Sequence, residues 1–132
     1  YASFHATKGI SFNCNECGGV GAPAEFTITS TNVSSAATAA MDKGLVEAQY
    51  AKEGTAYSKI AVSTKDYPNG KLLRIDGSWD NPGGVVAHAG TFHILRFATA
   101  TAFVELTFYE DQGATSAEWT LLQNSLDWST IK

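Results

Sequence analysis

The stretch Val85-Val86-Ala87-His88-Ala89-Gly90-Thr91-Phe92-His93-Ile94-Leu95-Arg96-Phe97, then residues 98–102, then Phe103-Val104-Glu105-Leu106-Thr107-Phe108-Tyr109, decides the reading of the fold. Two runs rich in β-branched and aromatic residues flank a short segment of small ones. That is the composition of two antiparallel strands in the middle of a sheet, joined by a tight connection.

Two centrings of this hairpin give different proteins. Centred on Ala100, all even residues share a face, so Phe92, Ile94, Val104, Leu106 and Phe108 form the core side. His93, Leu95, Phe97, Phe103, Glu105 and Thr107 then lie on the other side, and Arg96 reaches solvent at the hairpin end. Centred half a residue earlier, His93 joins Leu95, Phe97, Val104 and Leu106, and Arg96 shares a face with Glu105. A one-step slip reassigns every side chain in this way. The first register is preferred, because it collects the larger set of apolar groups on one face.

Working outward, Glu25-Phe26-Thr27-Ile28-Thr29-Ser30-Thr31 alternates as a half-buried strand does. Residues 2–13 read as two short edge strands, or as one broken at Gly9. Leu45–Tyr50 and Tyr57–Val62 are strand-like, with hairpin-loop chemistry in Lys52-Glu53-Gly54-Thr55 between them. Tyr67-Pro68-Asn69-Gly70 is a turn, with positive φ expected at Asn69 or Gly70. Leu72–Ile75 returns as a strand, and Asp80-Asn81-Pro82-Gly83-Gly84 turns again. Over Ser35–Asp42 a short helix, capped by Asn32 or Ser34 and ended by Gly44, competes with a flexible loop. Glu118–Leu122 is a strand or a helical turn. Leu126, Trp128 and Ile131 have the spacing of a tail docked on the body. The expected fold is therefore a single all-β domain over residues 1–132. It is an antiparallel β-sandwich or a small closed β-barrel of about eight short strands, with at most one short helix.

The chain has 132 residues with 44 % hydrophobic and only 17 % charged content, and a net charge of −4. A surface with so few charges is covered by Ser, Thr, Ala, Gly and Asn, as on many extracellular β proteins. No basic run exists, which excludes a nucleic-acid backbone as partner. No apolar run is long enough for a membrane-spanning helix. A start at Tyr1 without Met fits a secreted protein whose leader has been removed. Under that reading Asn32-Val33-Ser34 is a glycosylation acceptor, and Cys14 and Cys17 form a local disulfide in preference to a metal or redox pair.

Chemistry concentrates in two places. In one, His93 with Glu105 supplies a general base, and Arg96 can hold an anionic transition state. In the other, Trp79 sits among Asp76, Asp80 and Asn81. An exposed indole beside carboxylates and amides suits a sugar, the ring stacking on C–H groups and the polar atoms taking hydroxyls. Phe97 and Phe103 extend the ligand-binding set as an aromatic face. Asp76, Ser78 and Asp80 alternate like half of a calcium loop, but the closing Glu is missing. The Cys pair lacks two further zinc ligands. No metal and no cofactor are therefore expected. Phosphate loops, dinucleotide fingerprints and nucleophile elbows are absent. The leading expectation is a secreted binding protein for carbohydrate or another protein. The alternatives are a hydrolase or isomerase using His93 and Glu105, and a self-assembling structural protein, which makes a homo-oligomer possible.

Overall fold

A computed structural model describes the backbone of residues 2–6, 9–14, 24–32, 35–53, 57–81, 88–111 and 117–131, and the side chains of 35–53, 57–79, 90–109 and 119–131. Its elements in chain order are β1 (Ala2–Ala6), β2 (Gly9–Cys14), β3 (Ala24–Asn32), α1 (Ser35–Ala40), α2 (Lys43–Lys52), β4 (Tyr57–Tyr67), β5 (Gly70–Asn81), β6 (His88–Ala98), β7 (Ala102–Asp111) and α3 (Ala117–Ser125). A 3-10 turn over Trp128–Thr130 follows. The strands make one open antiparallel sheet in the order β1-β2-β3-β7-β6-β5-β4. Strands β4 to β7 form a four-stranded meander, and β1 to β3 extend it beyond β7.

This overturns the expectation of a sandwich or barrel. Among the described residues the sheet neither closes nor stacks on a second sheet, and helices cover it instead. Residues 45–50 are not a strand but the body of α2. The Asp42 carboxylate accepts a hydrogen bond from the Leu45 amide at 2.9 Å and caps the helix. Val46 is 2 % exposed and partly buried Tyr50 packs against its cluster one turn on, while Leu45 faces out at 56 %. So narrow a buried stripe mimics a two-residue alternation over six residues, and helical periodicity needs a longer window to declare itself. Glu118–Leu122 is helical, inside α3.

The central hairpin also differs from the preferred register. Leu95 pairs with Leu106, Arg96 with Glu105 and Phe97 with Val104. The turn is two residues long. Thr99 donates its amide to the Ala102 carbonyl at 2.9 Å, and its hydroxyl accepts from the Ala102 amide at 3.0 Å. An even-numbered turn displaces the centre half a residue past Ala100. His93 therefore shares a face with Leu95 and Phe97, and Arg96 shares one with Glu105.

Both faces are covered, so each carries its own set of apolar groups and their number on one face does not fix the register. One face packs Leu73, Ile75, Phe92 and Ile94 with Val62 under Val46 of α2, with Met41, Tyr50, Tyr57, Ile60 and Trp79 at the margin. We call this the helical face. The opposite, tail face packs Leu95, Leu106 and Phe108 under Trp119 of α3, with Leu72, Leu122, Leu126 and Trp128 alongside. Leu73, Ile75 and Phe97 are 0 % exposed, and each such side chain contributes about 1.5–3 kcal/mol.

Two local features set the β4–β5 hairpin. Ser58 pairs with Ser78 but Ala61 with Asp76, so Lys59 and Ile60 bulge opposite Gly77. Lys59 takes φ 54° there. The bulge carries Ile60 over Gly77, where an added Cβ would lie 2.6 Å from the Ile60 methyl and 2.8 Å from the Phe92 ring. At the hairpin end, positive φ at Asn69 does not occur. Gly70 is needed for another reason: a Cβ would lie 2.2 Å from the Ala98 carbonyl oxygen.

Candidate functional site

The tail face carries a polar chain embedded in apolar packing. Arg74 and Asp76 stand two apart on β5 and so point the same way. His93 lies across from Asp76 on β6. Asp76 accepts from Arg74 Nε at 2.7 Å through one oxygen and contacts His93 Nδ1 at 2.6 Å through the other. The His93 ring stacks flat on Trp119, centroids 4.3 Å apart and 2° from parallel, and the Arg74 guanidinium lies 5.7 Å from the same indole. Arg74 Nη1 also donates to Gln123 Oε1 at 3.1 Å. Burial pushes the Asp76 carboxyl up, but the hydrogen bonds from His93 and Arg74, with their charges, outweigh it and hold it below its ordinary value. A carboxylate so held is an anionic anchor that fixes both its neighbours in place.

Beside Arg74 the tail face opens into a groove of about 290 Å³. Leu72, Leu95 and Arg74 line it from the sheet, Gln123, Leu126 and Trp128 from the C-terminal segment, and Tyr67 and Lys65 from β4. Ser63 and Thr64 add hydroxyls. The wall is built by the tail. Trp128 stacks on Phe97 at 5.4 Å and 19°. Asn69 Nδ2 donates to the carbonyls of Trp128 and Ile131, both at 2.9 Å. The Ser129 hydroxyl and amide bond Asp127, hold its carboxyl below the ordinary value, and shape the 3-10 turn. The expected docking of the tail is thus present, with the turn residue Asn69 as its clasp.

The residues singled out from sequence are divided between the two faces. His93 and Glu105 lie on opposite sides of the sheet, so the proposed acid–base pairing does not exist. Glu105 accepts from Arg96 Nε at 2.8 Å on the helical face, and Arg96 Nη1 donates to the Ala40 carbonyl at the end of α1 at 2.9 Å. Arg96 does not reach solvent. Its side chain is 15 % exposed, and it ties helix to sheet. Asp76 joins His93, but Trp79 does not join them. It sits on β5 among the margin residues of the helical core, not in an exposed loop. Trp79 therefore lacks the exposed loop setting expected for it. Asp76 and Ser78 lie in strand, not in a calcium-like loop, and among the described residues no group of three His, Cys, Asp or Glu is placed to hold a metal ion. Phe97 is buried on the tail face, whereas Phe103, opposite Ala98, shares its face with Glu105 by strand alternation. They form no common aromatic surface.

Asp80 and Asn81 belong to β5, but their side chains lie outside the described residues, as do residues 82–84 of the turn expected after them. Cys17 and the side chains of Cys14 and Asn32 lie outside them too, and no disulfide occurs among the described residues. Sequence reasoning missed Arg74, Gln123 and Trp119. One signal was available: Arg74-x-Asp76 in a strand places a cation and an anion side by side on one face. No protein-family model, no characterised protein and no solved structure matches the chain. No described helix is long and apolar enough to cross a membrane.

Proposed function

We propose that this protein binds a small ring-bearing ligand in the groove between β4–β5 and the C-terminal segment. The observation that carries the reading is the groove's lining. Leu72, Leu95, Leu126, Trp128 and Tyr67 offer an apolar and aromatic bed, and Arg74, Lys65, Gln123, Ser63 and Thr64 offer polar contacts. Small-molecule sites have this mixture, an apolar lining with a few placed polar groups, and volumes from about 300 Å³ upward. Carbohydrate remains a candidate, with Trp128 and Tyr67 in the stacking role first assigned to Trp79. The few charges on the surface support an extracellular setting for such a protein. The hydrolase or isomerase reading, built on His93 facing Glu105, loses its geometry. The self-assembly reading loses its bare aromatic face, since the C-terminal segment covers Phe97.

The test is ligand-observed and backbone-amide NMR against a library of sugars and single-ring compounds. Binding is expected to move the amides of Tyr67, Leu72 and Leu95 and the Trp128 indole together. Shifts confined to other surfaces, or none across the library, would end this reading.

A further inference from the structure

The groove is basic in an acidic protein. Among the described residues its lining holds Lys65 and Arg74 and no Asp or Glu, although the whole chain carries −4. Lys65 stands over the Tyr67 ring at 5.1 Å, at the rim. Arg74 is different in kind. Its Nε is taken by Asp76, its Nη1 reaches Gln123, and its guanidinium lies over Trp119. The fork is thereby held in one orientation on three sides, while Nη2 makes no hydrogen bond among the described residues. A guanidinium whose orientation is already fixed loses little freedom when it accepts a further partner. Its Nη2 is left to give a carboxylate oxygen a charge-assisted N–H hydrogen bond, of the kind that makes arginine a preferred partner for carboxylates. The apolar bed begins next to it with Leu72, Leu95 and Trp128, so the charged end and the ring of one ligand find their complements a short distance apart.

Resting on the groove reading above, we infer that the ligand is a small ring-bearing carboxylate whose carboxyl group docks on Arg74, with Asp76 and Gln123 as positioning residues for that arginine. The negative charge of Asp76 is offset by the Arg74 guanidinium that one of its oxygens contacts, and its other oxygen is engaged by His93. The carboxylate can belong to an aromatic acid or to an acidic sugar. Both present the same anion beside a ring face.

The experiment is calorimetric titration of the intact chain with phenylacetate, phenylacetamide, phenyl phosphate, galacturonate and galactose, read beside the NMR map. Phenylacetate is expected to bind at least tenfold tighter than phenylacetamide, and Arg74→Gln to remove that preference while leaving amide binding in place. Galacturonate exceeding galactose by a similar factor identifies an acidic sugar as the source. Equal affinity for acid and amide, with shifts still centred on Trp128, overturns the carboxylate assignment and leaves the groove reading intact. Tighter binding of phenyl phosphate than of either carboxylate also overturns it. Failure of every compound to move the groove resonances overturns the groove reading itself. The comparison of acid with amide on the unmodified protein decides the matter even where Arg74→Gln does not fold.

Discussion

Two arginine–carboxylate pairs occupy the two faces of one sheet and serve different ends. Arg96–Glu105 on the helical face closes at 2.8 Å, and Arg74–Asp76 on the tail face at 2.7 Å. The contacts are alike. What differs is where the rest of the guanidinium goes. Arg96 gives its next donor to the last carbonyl of α1, a group that a helix end otherwise leaves unsatisfied, and its side chain is 15 % exposed. Arg74 gives its next donor to a side-chain amide at the edge of a groove and is 37 % exposed. The same chemistry makes a structural tie where it is enclosed and, where it borders open space, the element to which the proposal above gives recognition.

The sharpest way to break this comparison is to remove each arginine in turn. Arg96→Met strands a carboxylate and a helix-end carbonyl, and we expect a loss of about 2–3 kcal/mol in urea unfolding, below the 3–5 kcal/mol of a fully buried pair. Arg74→Met should cost no more than about 1 kcal/mol, because partly exposed pairs contribute little, yet it should remove carboxylate binding. Equal stability losses from the two would dissolve the distinction. Asn69→Ala tests the tail face by its clasp. Losing two hydrogen bonds there should cost about 1–2 kcal/mol and speed amide exchange over residues 126–131. Unchanged exchange would mean that Trp128 alone holds the tail.

The third test uses acid. Asp76 is lowered on folding by His93 and Arg74 against the upward pull of burial. A lowered carboxylate stabilises the native state above its unfolded-chain value, about pH 4, and that contribution is lost as pH falls through the folded value. Asp76→Asn should therefore be less stable than the parent at pH 7, with the gap closing below pH 4. A gap that persists at low pH would assign the effect to packing. The smallest effect expected is a gain. Lys59 holds φ 54° in the bulge, and a left-handed conformation costs a side-chain-bearing residue about 1–2 kcal/mol. Part of that is offset by the freedom glycine loses on folding. Lys59→Gly should thus stabilise by about 0.5 kcal/mol, and a loss would show that the Lys59 side chain does more than occupy the bulge.

The strands were legible wherever composition and alternation agreed. β1, β2, β3 and the β4–β5 turn lie close to where the sequence places them, and the central hairpin exists. Its register was not legible. It depends on a turn of two residues stabilised by the Thr99 hydroxyl, and nothing in Ala98-Thr99-Ala100-Thr101-Ala102 separates that from the alternative. Slipping by one step sent His93 and Glu105 to opposite faces and dissolved the catalytic pairing. The helices were read poorly for a different reason. α2 buries mainly Val46, so its short stretch passed as a strand, and without two helical layers an open sheet looked as though it had to close. Trp79 was misplaced because Asp76–Asn81 has the composition of a turn but the position of a central strand.

β7 has neighbours on both sides: β6 follows from the hairpin, while β3 pairs with it from Ala24↔Glu110 to Asn32↔Ala102. Without β3, the ten residues of β7 would end the sheet with Val104, Leu106 and Phe108 beside an open row of amides and carbonyls. Such an edge recruits strands from other molecules. Because β3 precedes β7 in the chain, the cover already exists when a ribosome releases the strand that needs it. At the β4 end of the sheet no strand covers the edge among the described residues. There β4 carries the Lys59–Ile60 bulge and exposed Lys65 and Asp66, the irregularity and charge that discourage a second molecule from adding to a sheet. β7 and β4 are thus kept from recruiting other molecules by different means, β7 by a partner strand made before it and β4 by being a poor template.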